Sequence, residues 1–210
     1  MTKKHFRQAG FTLVELAIVL VIIGVIIGAV LKGQDLIANA RSKKLVNWEK
    51  QWEVAQWTYL DRKGKFAGDT NNNGVIADET TPTSPITTLT GANFLNPPVA
   101  TQSMGSTTFS MRMGYDTVGT TDKNVIVICP SDACGTVLSA DELVYLEAID
   151  TAIDGSADAG QGNVRAFNTA PTLGCSNECV DDGTDIVELL TTADWSTSNR
   201  GLVYYFDRPY

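Results

Sequence analysis

Three groups of residues in this chain have types and spacings that could do chemistry. Oxygen-bearing side chains stand at alternate positions Asp69, Asn71 and Asn73, followed by Gly74, Val75 and Ile76 and then by Asp78 and Glu79. That order is the opening of an EF-hand-type calcium loop, in which a glycine makes the sharp turn and the next residue lends its backbone carbonyl. The bidentate glutamate that would close such a loop falls on Thr80, so the same residues also read as an Asn-Gly turn without metal. Four cysteines form the second group, spaced as Cys129-x4-Cys134 and Cys175-x3-Cys179. Pairs at this spacing suit either two local disulfides or a four-thiolate zinc site. The third is Glu15, the single ionisable residue between positions 11 and 31. A carboxylate inside so long an apolar run costs about 2.5–3.5 kcal/mol on insertion scales and calls for a partner.

Other chemistries are excluded by what is missing. Histidine occurs once, at His5. Beyond it there is no imidazole for Ser-His-Asp or Cys-His catalysis or for a His-ligated metal, and the chain reads as a non-enzyme. The formal net charge is −8, which disfavours direct binding of nucleic acid, an affinity drawn largely from cationic contacts to phosphate.

The elements that must position these groups begin with residues 11–31, whose length matches the roughly 20 apolar residues a helix needs to cross a bilayer. Lys3, Lys4 and Arg7 precede the span with no acid among them, so the positive-inside bias keeps the N-terminus in the cytoplasm and sends the rest outward. A secretory signal carries its small-residue cleavage site after the apolar region; here the small-residue junction, Ala9-Gly10, lies before it. Gly24 and Gly28 make a G-x-x-x-G pair that lets helix backbones approach closely in an apolar medium.

The run Gly10-Phe11-Thr12-Leu13-Val14-Glu15 resembles the N-terminus of type IV prepilins and type II secretion pseudopilins. The resemblance implies a membrane peptidase that cuts between Gly10 and Phe11 and methylates the new amine. It also implies a filament in which Glu15 meets the N-terminal ammonium of a neighbouring subunit. Residues 1–10 would then be a cleaved leader, leaving 13 Lys plus Arg against 24 Asp plus Glu, a net of −11. The implied partners are like or unlike pilins, the prepilin peptidase and the inner-membrane assembly machinery. The precursor would sit in the inner membrane with its head in the periplasm.

Residues 32–63 contain no proline and continue the helix as an amphipathic extension, about 80 Å of rod counted from residue 11 at 1.5 Å per residue. Leu45, Trp48, Trp52, Ala55 and Tyr59 lie at spacings of 3, 4, 3 and 4, one apolar stripe that should carry the globular part. Trp57 and Val46 fall on the opposite side, to be covered either by neighbouring subunits or by a loop of the same chain. Gly64 should end the helix. Residues 59–69 resemble a segment of some pilin-like proteins in which a Pro-Gly-Asp turn follows the helix, with Ala67 standing here in place of the proline.

Residues 64–210 form the head. Residues 80–90, rich in threonine and punctuated by prolines, read as a surface loop. Residues 107–113, 124–129 and 202–206 read as strands of an antiparallel sheet. Ser139-Ala140-Asp141-Glu142 is a capping-box pattern ahead of a second helix, and the Gly-x-Val-Arg-Ala run at 162–166 a strand resembling one in the same pilin-like proteins. A further helix is expected at 185–190. In the oxidising space outside the membrane the cysteines favour two local bonds, Cys129 to Cys134 and Cys175 to Cys179, over zinc. The fold class is α+β: a long N-terminal helix packed on an antiparallel head, with calcium as the candidate cofactor. The functional expectation is a structural subunit of a pilus or pseudopilus; the alternatives are a membrane-anchored domain that never polymerises and a minor tip subunit.

Overall fold

The computed structural model describes residues 12–182, 186 and 194–208. Helix α1 (Leu13–Lys63) runs unbroken, as its lack of proline dictates. It ends where Gly64 takes a φ of 74° and donates its N–H to the Leu60 carbonyl at 2.8 Å, the left-handed cap that glycine accepts without strain. The chain divides into two units, residues 1–40 and 41–210. In the first, the side chains of α1 from Leu13 to Leu31 are exposed, and this stretch is long and apolar enough to cross a membrane.

In the second unit α1 buries Leu45, Trp48, Trp52 and Ala55, and Tyr59 packs against the same core at its edge. After α1 come α2 (Pro85–Thr90), β1 (Thr101–Met104), β2 (Thr107–Val118), β3 (Thr121–Cys129), α3 (Ala140–Asp154), β4 (Val164–Phe167), β5 (Leu173–Gly174), β6 (Cys179–Asp182) and β7 (Gly201–Tyr205). The sheet order is β4-β7-β3-β2-β6-β5, with β1 pairing β2. One face, with Phe109, Met111, Met113, Ile126, Ile128 and Leu202, joins the core of α1 and α3. The alternate residues Val125, Val127, Val203 and Tyr205 form a second cluster with Phe167, Val180 and Ile186, as the two-residue period of a strand requires.

Two expectations are corrected. The sheet is mixed, because β6 runs parallel to β2. It takes up residues 113–116 of the edge whose residues 107–110 are held by β1. At Gly114 a Cβ would lie 1.8 Å from the Val180 carbonyl oxygen, so this approach tolerates no side chain. Residues 85–90, expected as loop, form α2: Ser84 accepts the Thr87 N–H at 3.1 Å, proline occupies the first turn, and Ile86 and Leu89 are buried. The Ser139 capping box is present at the start of α3. The helix expected at 185–190 lies outside the described residues.

Candidate assembly and binding sites

The first site is the start of α1. Glu15 stands three residues after Thr12, and its Oε2 accepts the Thr12 N–H at 2.9 Å and the Thr12 hydroxyl at 2.8 Å. The Glu15 N–H donates back to the Thr12 hydroxyl oxygen at 3.3 Å. This reciprocal pair is a capping box, and it satisfies donors that the first turn of a helix otherwise leaves free. The carboxylate therefore has a partner within its own chain. The pattern Thr-x-x-Glu was legible in the sequence but hidden by its place inside an apolar run. Gly10 and Phe11 lie outside the described residues. At Gly24 and Gly28 an added Cβ would meet nothing within 4 Å, so the notch they make is open.

The second site is the loop at 69–79. Asp69 is buried, and its two oxygens accept the N–H groups of Asn72 (2.7 Å) and Gly74 (3.0 Å). Asn71 and Asn73 use their amide oxygens on the N–H groups of Asn73 and Val75, at 3.0 and 2.8 Å. Both turn their amide nitrogens toward Asp78, Asn71 at 3.2 Å. Glu79 Oε1 accepts the Thr70 N–H, the Thr70 hydroxyl and the Asn71 N–H at 2.6, 2.7 and 3.1 Å. Burial works to raise its carboxyl, but the bonds from Thr70 and Asn71 outweigh it and hold the group below its ordinary value. Among the expected ligands, then, Asn71, Asn73 and Asp78 converge; both Asp69 oxygens are taken by backbone N–H groups, while Glu79 uses Oε1 on Thr70 and Asn71 and its Oε2 is buried with no hydrogen-bond partner among the described residues. The donors that face Asp78 are the amide nitrogens of Asn71 and Asn73. Among the described residues, three or more acid, histidine or cysteine side chains do not gather into a metal-holding group.

What fixes this loop to the head was not visible in the sequence. Asn124 of β3, 1 % exposed, accepts the Ile76 N–H at 2.8 Å and donates to the Gly74 carbonyl at 2.8 Å and to Asp207 at 2.7 Å. A second anchor is Gln56 of α1. Its Nε2 donates to the Ala67 carbonyl at 3.3 Å and its Oε1 accepts the Ala67 N–H at 3.0 Å. A proline at 67 would lack that N–H. The other side of α1 is covered in part by its own chain: Trp57 makes edge contacts with Phe66 and Phe206 and remains 38 % exposed.

Cysteines 129 and 134 are bonded, as are 175 and 179. The two bonds flank the β2 edge: the first closes the turn after β3, and the second joins the residue after β5 to the first of β6. Between them, Arg112 of β2, 6 % exposed, donates to the backbone carbonyls of Met111 and Asp132 and lies 3.7 Å from the Asp132 carboxylate. Two acids are buried on the α1 side of the sheet. Asp150 of α3 accepts the Trp195 indole N–H and the Asp158 N–H, both at 2.8 Å; burial, with Asp154 and Asp158 nearby, pushes it up to about 6 against those bonds. Glu49 of α1 is wholly buried, neither of its oxygens has a hydrogen-bond partner among the described residues, and burial, with Glu53 one turn on, pushes it up to about 8.

Comparison with known proteins bears on the first of these sites. Residues 5–31 match the model of the prokaryotic N-terminal methylation motif, the cleavage motif of type IV pilin and pseudopilin precursors. Neither the curated proteins nor the solved structures contain a match to the chain.

Proposed function

From a chain that carries the prepilin cleavage and methylation motif on an apolar helix ahead of an α+β head, we propose a filament subunit of the type IV pilus or type II secretion pseudopilus kind. Its work is assembly. The precursor is held in the inner membrane with the head in the periplasm, is cut between Gly10 and Phe11 by the prepilin peptidase, and packs its apolar helix with those of other pilins. The observation that carries this reading is the match over residues 5–31 together with the exposed apolar surface of α1 from Leu13 to Leu31, a surface that needs a bilayer or other helices to cover it. Pilin-like proteins are structural, and no catalytic role is proposed for the buried acids.

The capping box supports a second reading, in which Glu15 does no more than start the helix of a membrane anchor that does not polymerise. Glu15→Gln separates the two, because glutamine can serve in a capping box but carries no charge for an ammonium. Filaments sheared from cells, or pseudopili recovered on overexpression of the assembly machinery, are probed for the head. In the filament reading the wild-type chain appears in that fraction and the Glu15→Gln chain stays in the membrane. Equal recovery of both in filaments would remove the charge from the mechanism. Absence of the wild-type chain from every filament preparation would leave the anchor.

A further inference from the structure

The buried side of α1 in the head carries one residue that an apolar core does not need. Among its buried residues Leu45, Trp48, Trp52 and Ala55 are apolar and Gln56 is matched to the Ala67 peptide, but Glu49 is an acid whose oxygens have no hydrogen-bond partner among the described residues. An isolated carboxylate taken out of water costs many times what a neutral carboxylic acid does, so such a group gives up its charge before it gives up its site.

We propose that Glu49 enters the folded head as a neutral carboxylic acid, so that the head folds with uptake of a proton and loses stability as the medium turns alkaline. The surrounding charges favour this state. Glu53, one turn further along α1, repels a second negative charge, and the neighbouring Lys50, which attracts it, is exposed to water and offsets little. From the sheet side the ionisable group is Tyr204 of β7, 7 % exposed, whose own ionisation is pushed well above the usual range by burial and by Glu53 and Glu49; it therefore stays a neutral phenol and supplies no positive charge. Asp154 of α3 acts on Tyr204 as well and adds only further negative potential.

The direction of the effect follows from linkage. The carboxyl is raised from 4.5 in the open chain to about 8 in the fold, so its cost is absent below about pH 4.5, grows as pH rises, and levels off above about 8. Where Glu49 is protonated in the fold and ionised in the unfolded chain, the folding equilibrium constant falls close to tenfold for each pH unit. Asp150, pushed up to about 6, and Asp207, also raised by burial, act in the same sense; the difference between the wild-type and Glu49→Gln curves isolates the part that belongs to Glu49. The inference does not depend on polymerisation and would hold equally for a simple membrane anchor.

The test is thermal unfolding of the full chain in non-ionic detergent, followed by tryptophan fluorescence, since all four tryptophans lie beyond residue 40. Wild type and Glu49→Gln are compared across pH 6 to 9. The wild-type midpoint should fall as pH rises from about 6.5 to 8 and level off above that, the Glu49→Gln midpoint should stay nearly level over the same range, and at pH 8 the variant should be the more stable. Parallel curves would overturn the proposal. Should Glu49→Gln fail to fold, refolding of the wild-type chain from urea at pH 7 in weak buffer with an indicator dye gives the same answer. Uptake of close to one proton per chain supports the proposal, and uptake near zero overturns it.

Discussion

Replacing Gln56 with leucine tests how the head is fastened to α1. The change keeps an unbranched-to-branched apolar stem of similar size and removes both bonds to the Ala67 peptide, one donated at 3.3 Å and one accepted at 3.0 Å. Both residues are wholly buried, so water does not replace what is lost. Each buried backbone group left without a partner costs about 1–3 kcal/mol. Two such groups give about 2–6 kcal/mol, and the added apolar contact of leucine returns roughly 1–2 of it. The middle of each range leaves a net loss of about 2.5 kcal/mol. For a head of this size each kcal/mol is worth about 2–4 °C, so the midpoint should drop by about 5–10 °C. Thermal unfolding of the full chain in detergent, read by tryptophan fluorescence, measures it. A loss under about 1 kcal/mol would refute the reasoning, since it would mean that the Ala67 peptide finds other partners and that the glutamine is not its anchor.

Two further outcomes follow from the loop at 69–79. Asn124→Ala removes the bonds to Ile76, Gly74 and Asp207; hydrogen exchange should speed up at residues 69–79 and leave α3 unchanged, whereas uniform speeding would show global destabilisation instead. We also propose that the loop takes calcium when the Asn71 and Asn73 amides turn their oxygens to Asp78. With an affinity in the extracellular range of about 10⁻⁴–10⁻³ M, calcium at ten times its dissociation constant would add about 1.4 kcal/mol, and the midpoint should rise in wild type but not in Asp78→Ala. No rise in wild type at 10 mM calcium would leave the self-bonded turn as the loop's whole role.

Much of the scaffold was legible because it rests on short-range rules. The absence of proline and the stripe from Leu45 to Ala55 dictate α1, Gly64 ends it, and Ser139 starts α3, and each of these signals lies within a few residues of its effect. What was missed is long-range or masked. The parallel pairing of β6 with β2 brings together residues some 66 apart, such as Gly114 and Val180, and no local pattern encodes it. The helix α2 is only six residues long, with Pro85 and Ser84 as its start signals inside a threonine-rich run that otherwise reads as loop.

The sites divide in the same way. The acids and amides of the 69–79 loop were visible, but their hydrogen bonds were not: which atom of Asn73 faces Asp78 depends on the fold of the turn. Asn124 and Gln56 act across 48 and 11 residues of chain, and nothing in their neighbours marks them out. Glu49 sits on the buried stripe at a helical position that a charged residue rarely occupies, and that misplaced polarity was the one signal available.

The claim on which the functional account rests is that this chain enters the prepilin pathway, and mass spectrometry of its N-terminal peptide from cells with and without the prepilin peptidase tests it most directly. The account predicts a peptide that begins at Phe11 and carries one added methyl group when the peptidase is present, and an uncut chain when it is absent. A chain that keeps its first ten residues in peptidase-competent cells would contradict it.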